Sequence, residues 1–149
     1  MILPASLEIM ELERIIFYIR RILAVGDRMN EDELQNEIEE RLNRIAKHYG
    51  QIPLVCSTLA KKPDLFVPYT DLSRRLLLEP ERLSEREAEL AAVAAGAALA
   101  SEHCLDLHIS QALKSGASKE DVLESIMIGT FMAMTCGLSV GLRKLQEKG

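Results

Sequence analysis

The sequence predicts an all-α fold, a bundle of about seven or eight helices. Three observations carry that expectation. Apolar residues recur three and four positions apart along most of the 149-residue chain, and no stretch alternates as a strand would. Ala, Leu, Ile, Glu and Arg dominate, a mixture that favours helices. With 8 glycines and 5 prolines, little interrupts the periodic segments. A chain of this length and 48% hydrophobic content can bury one real core, so it does not read as disordered.

Residues 6–25 form the first expected helix, with Leu12, Ile15, Ile16, Ile19, Ile22 and Leu23 at helical spacing and Gly26 as its stop. Asn30 and Glu33 then make a capping box, each side chain meeting the other's backbone N–H. Leu34, Ile38, Leu42, Ile45 and Tyr49 mark one apolar stripe, and Gly50 ends that helix with a left-handed cap. His48, in the last turn, reads as a cation welcomed by the helix dipole. A short helix fits between Pro53 and Pro63, where Cys56 reads as a small core hydrophobe. Another is expected over 64–78, with Pro68 in its first turn and Leu65, Leu72 and Leu76 facing inward.

Ser84 and Glu87 form a second capping box. The helix that follows, EAELAAVAAGAALA, is almost all small residues and belongs at the centre of the bundle. Glu89 either faces solvent near its start or points inward. The helix begun at residues 101–108 runs to Gly116. Ser118 and Asp121 start the next, with Ile126, Met127, Phe131 and Met134 in the core. Gly137 is expected to break it before a last amphipathic helix, LSVGLRKLQEK.

The formal net charge is −5, and no Lys/Arg cluster is interleaved with aromatics, which argues against nucleic-acid binding. No uninterrupted run of about 20 apolar residues exists, so no membrane span is expected. No basic segment precedes a clean apolar one, so no signal peptide is expected either. Three scattered cysteines, Cys56, Cys104 and Cys136, do not make a disulfide framework and suit a reducing, cytoplasmic setting.

The densest chemistry lies in SEHCLDLH, residues 101–108. If a helix begins at Ser101, that serine is an N-cap and Cys104 lies in the first turn, where the helix's partial positive charge favours a thiolate. His108, four residues on, shares a face with Cys104 and can accept the thiol proton. Cys and His also fall four apart by chance in many helices, and Glu102 and Asp106 read equally well as solvated first-turn acids. Metal chelation is disfavoured: His103 and Cys104 project about 100° apart, so they cannot easily chelate together with His108. No metal or cofactor is expected, and no dinucleotide fingerprint occurs.

The pattern resembles the alkylhydroperoxidase D-like and carboxymuconolactone decarboxylase superfamily, whose hallmark is Glu, eleven residues, then Cys-x-x-Cys-x-x-x-His. Glu89 falls at the glutamate, Cys104 at the second cysteine and His108 at the histidine, with His103 where one branch also tends to have histidine. SQALKSGASKEDVLESI and KKPDLFVPYTDLSRRLLLEPERLSEREAEL resemble the flanking segments. Ser101 replaces the first cysteine. The resemblance covers roughly residues 35–140. It implies an alkylhydroperoxidase D-like domain over 31–149, an N-terminal helical extension over 1–30, and a homo-oligomer, trimer or hexamer.

It also implies a thiol peroxidase in which Cys104 attacks a hydroperoxide, His108 and Glu89 relay the proton and His103 supports them. Because Ser101 cannot form the usual disulfide, an external thiol, a redox partner protein, Cys56 or Cys136 would complete the cycle. The alternatives are a decarboxylase-type lyase and a non-catalytic helical oligomer with a vestigial site.

Overall fold

A computed structural model describes residues 30–149, and every regular element among them is helical. The expected helix within 6–25 lies outside the described residues. Six α-helices follow: α1 (Glu31–Tyr49), α2 (Leu54–Leu59), α3 (Pro63–Ser73), α4 (Glu85–Ala98), α5 (Glu102–Lys114) and α6 (Lys119–Gln146). One π-helical turn, Arg74–Leu78, extends α3.

Local chemistry sets the boundaries. Capping boxes form at Asn30/Glu33, Ser84/Glu87 and Ser118/Asp121, so α1, α4 and α6 each start with the N–H groups of the cap residue and of the third helical residue paired. α1 ends at Gly50 in the left-handed region (φ 76°), its N–H bonding the Ala46 carbonyl. α4 and α5 meet through a Schellman motif. Ser101 N–H reaches the Gly96 carbonyl and Ala100 N–H the Ala97 carbonyl, with Ala100 itself left-handed (φ 51°). Ser101 therefore closes one helix and caps the next, which fixes where Cys104 sits.

Two apolar clusters hold the chain together. Ile38, Ile45, Cys56 and Phe66 form one, among α1, α2 and α3, with Tyr49 packed against it. Arg41 ties α1 to α3, binding Glu37, Thr70 and Asp71 at 2.6–2.9 Å. The second joins α4, α5 and α6 through Val93, Ala112, Ala117 and Val122. The small residues of α4 let α6 approach so closely that a Cβ at Gly129 would collide with the Ala94 backbone. α4 packs against α5, α6 and the π-helical turn, the central place expected of it.

Three expectations are corrected. Pro68 lies inside α3 rather than in its first turn, and that helix buries Phe66, Val67 and Thr70 while Leu65, Leu72 and Leu76 are exposed. The face is set by Phe66, the bulkiest side chain in the helix to be fully buried. α6 does not break at Gly137. A single glycine costs a helix about 1 kcal/mol relative to Ala, too little to stop one of 28 residues. Finally, Met127, Phe131 and Met134 are exposed: Met127 lies on the helix face opposite buried Ser125 and Gly129, and Phe131 and Met134 lie beyond Gly129, the last buried residue of α6. The same uncharged run, residues 125–142, makes α6 long and apolar enough, by length and composition alone, to cross a membrane.

Candidate functional site

The site lies where the two clusters meet. Glu89 occupies the second turn of α4, between Ala88 and Leu90, on the helix that packs against α5. The inward option is the one adopted: Glu89 is fully buried. A buried carboxylate is costly unless partnered, and His108 on α5 supplies the partner, its Nδ1 lying 2.7 Å from Glu89 Oε2. With Glu89 ionised, a lone pair on Nδ1 would be repelled at this distance, so in that state Nδ1 carries the proton and donates it. Nε2 is then the nitrogen left to accept one. The ring is held further by Tyr49, whose edge meets it with centroids 5.9 Å apart.

Cys104 and His108 lie one turn apart on α5, and Cys104 is partly exposed. Its backbone N–H reaches Ser101 Oγ at 3.4 Å, so Ser101 acts as the expected N-cap and places the sulfur in the first turn of α5. Gly96 backs the cysteine: a Cβ there would lie 3.4 Å from Cys104 Cβ. Among the described residues no hydrogen bond joins the thiol to the imidazole, because His108 is turned toward Glu89. His103 is exposed and belongs to neither pair.

Of the other thiols, Cys136 is exposed on the unaccompanied part of α6. Cys56 is buried, and burial pushes its thiol up from the ordinary cysteine value. Tyr69 is raised by burial first, then by the charges of Cys56 and Cys104. Tyr49 is pushed up chiefly by burial, then by the charge of Glu89.

The family model that matches this chain, over residues 63–147, is that of the carboxymuconolactone decarboxylase family. The chain belongs to this family. The match spans α3 to α6 and so takes in Glu89, Ser101, Cys104 and His108. No curated protein and no solved structure matches the chain significantly.

Family membership agrees with the all-α architecture, and the family's range takes in peroxidase-like and decarboxylase members. The family assignment leaves α1 outside the match, and α1 holds the residue that the sequence undervalued. His48 is a helix-end residue, as expected, but it points into the site. Its Nε2 lies 3.6 Å from Glu89 Oε1 and 3.9 Å from Glu85 Oε1. The available signal was its register: three residues after Ile45 and beside Tyr49, His48 sits at the edge of the buried stripe. Among the described residues no group of three or more His, Cys, Asp or Glu is arranged to hold a metal ion.

Proposed function

We propose that this chain is a thiol-dependent peroxidase in which Cys104 reduces hydroperoxides, with His108 as its base and Glu89 as the acid that orients and supports that base. The observation that carries this reading is the 2.7 Å bond between fully buried Glu89 and His108, one turn from a partly exposed cysteine. A bond of that kind fixes the ring and its tautomer and leaves Nε2 to take the thiol proton, directly or through one water. The thiolate attacks the terminal oxygen of ROOH, forming the S–O bond as the O–O bond breaks. The departing alkoxide takes the proton from His108, giving ROH and a sulfenic acid. A second thiol then displaces water from the sulfenic acid to form a disulfide, and a further thiol returns Cys104 to the reduced state.

Ser101 cannot be that second thiol, so we assign the role to an external thiol or redox partner protein. Cys56, which is buried, and Cys136, which is exposed, are the in-chain alternatives. Ser101 supports the site by capping α5, whereas exposed His103 lies outside the Glu89–His108 pair. We further propose one domain over 31–149 with 1–30 as an extension, a homo-oligomer such as a trimer or hexamer, and a cytoplasmic location. Exposed Phe131, Met132, Leu138 and Leu142 on α6 support association, and three free cysteines support a reducing compartment.

A second reading, a decarboxylase-type lyase, is favoured by the absence of a thiol–imidazole bond and by Ser101. There the Glu89–His108 pair would act on substrate without the sulfur. Peroxide treatment with sulfenic-acid trapping and mass spectrometry separates the two. Rapid oxidation at Cys104 supports the peroxidase, whereas a Cys104→Ser variant that keeps full activity on a lactone acid supports the lyase.

A further inference from the structure

We infer that His48 is a positioning residue of the same site: it donates an Nε2 proton to the second oxygen of Glu89, so that one buried carboxylate is shared by two imidazoles from α1 and α5. The inference rests on the reading of His108 as the base for Cys104, and it adds a residue from outside the segment the family match covers.

Among the described residues three buried polar atoms have no hydrogen-bond partner, His48 Nε2, Glu89 Oε1 and Gln111 Oε1, and the first two face each other. Glu89 Oε2 is already committed to His108. Its other oxygen faces His48 Nε2 at 3.6 Å, a gap that a small rotation of either side chain closes to a hydrogen bond. A bare nitrogen lone pair cannot rest between the Glu89 and Glu85 carboxylates, at 3.6 and 3.9 Å, without repulsion. Nε2 therefore bears hydrogen whether the ring is neutral or charged. Glu85 is itself steadied, its Oε1 accepting from Gln111 Nε2 at 3.1 Å. The groups facing His48 are thus Glu85 and Glu89 from α4, Gln111 from α5 through Glu85, and Tyr49 beside it, with ring centroids 4.5 Å apart.

A carboxylate bonded through one oxygen can still swing about its last torsion. Held through both, its plane is fixed, and with it the His108 ring. Outer partners of metal-bound histidines matter by about 10- to 100-fold, and we take the same range for this metal-free carboxylate–imidazole pair.

The test compares full-length parent, His48→Leu and His48→Gln, the glutamine keeping an N–H where the imidazole Nε2 lies. Cys104 oxidation by hydrogen peroxide is read by mass spectrometry, and histidine tautomers by long-range ¹H–¹⁵N spectra. The parent should show His48 protonated at Nε2 and His108 at Nδ1. Oxidation should slow about 10-fold or more in His48→Leu and stay within about 3-fold of the parent in His48→Gln. A His48 with a bare Nε2, a leucine variant at the parent rate, or equal losses in both variants would overturn the inference. If His48→Leu does not fold, the parent spectrum and the glutamine variant decide. If the parent thiol is inert to peroxide, the peroxidase reading fails while the tautomers still report on His48.

Discussion

Glu89→Gln separates the chemistry of the site from its stability. The substitution keeps shape and leaves an oxygen to accept from His108 Nδ1, now 2.7 Å from Glu89 Oε2, while its amide N–H faces His48 Nε2, which accepts it once the His48 proton moves to Nδ1. A hydrogen bond to a charged group is worth about 1.5–3 kcal/mol net and a neutral one about 0.5–1.5, so about 1 kcal/mol is lost. Against that, the fully buried charge no longer has to be desolvated, a term of several kcal/mol in the other direction. The unfolding free energy should therefore stay equal to the parent's or rise.

Reactivity should move the opposite way. Proton transfer from Cys104 creates an imidazolium about 4 Å from the carboxylate charge, an attraction of about 4 kcal/mol at an effective dielectric of 20. The amide dipole returns part of it, so we expect peroxide oxidation of Cys104 to slow about 100-fold, within the range general base catalysis supplies. Urea unfolding and stopped-flow oxidation, read on the same preparation, make the comparison. A variant that oxidises at the parent rate would refute the role of Glu89, as would one whose slowing tracks a loss of folded protein.

Other outcomes follow from the fold. Gly129→Ala should lower the unfolding free energy by about 3 kcal/mol in urea titrations, because the new methyl meets the Ala94 backbone rather than a yielding side chain. Ala100→Gly should stabilise by about 0.5 kcal/mol. It relieves a left-handed alanine worth about 1–2 kcal/mol but adds freedom to the unfolded chain. The Asp121 carboxyl is held at about 2, against 3.8 unperturbed, first by the Ser118 N–H and then by Arg86 and the Ser118 hydroxyl. A depressed acid stabilises the fold above its unfolded value and loses that contribution as pH falls. The parent should therefore weaken between about pH 4 and pH 2, and Asp121→Asn should show a shallower acid limb in thermal melts.

The helices were legible where their ends are written in local chemistry. Asn30, Ser84 and Ser118, each with an acid three residues later, mark starts that the fold keeps. Ser101 was readable as a cap for the same reason. Gly137 misled because a glycine's cost is local, whereas continuation of a helix depends on its whole length. Met127, Phe131 and Met134 misled because periodicity says which residues share a face, not whether anything covers it.

At the site, the Glu89–His108 pairing could be anticipated only from the family resemblance, since the residues by themselves left Glu89 open between solvent and interior. The direction in which His108 turns could not, since an imidazole at i+4 from a thiol is equally free to face a neighbouring helix. His48 was hidden because its partner lies 41 positions away, on a helix brought alongside only by packing.

The central claim is that a single thiol, Cys104, is activated by His108. Timed peroxide oxidation with sulfenic-acid trapping, resolved by mass spectrometry at Cys56, Cys104 and Cys136 in parent and His108→Ala, tests it most directly. The account expects Cys104 to be oxidised first and far faster than free cysteine, Cys56 last because it is buried with a raised thiol, and the Cys104 advantage to fall about 100-fold in the variant. Oxidation of parent Cys104 no faster than free cysteine, or unchanged by loss of the imidazole, would contradict it.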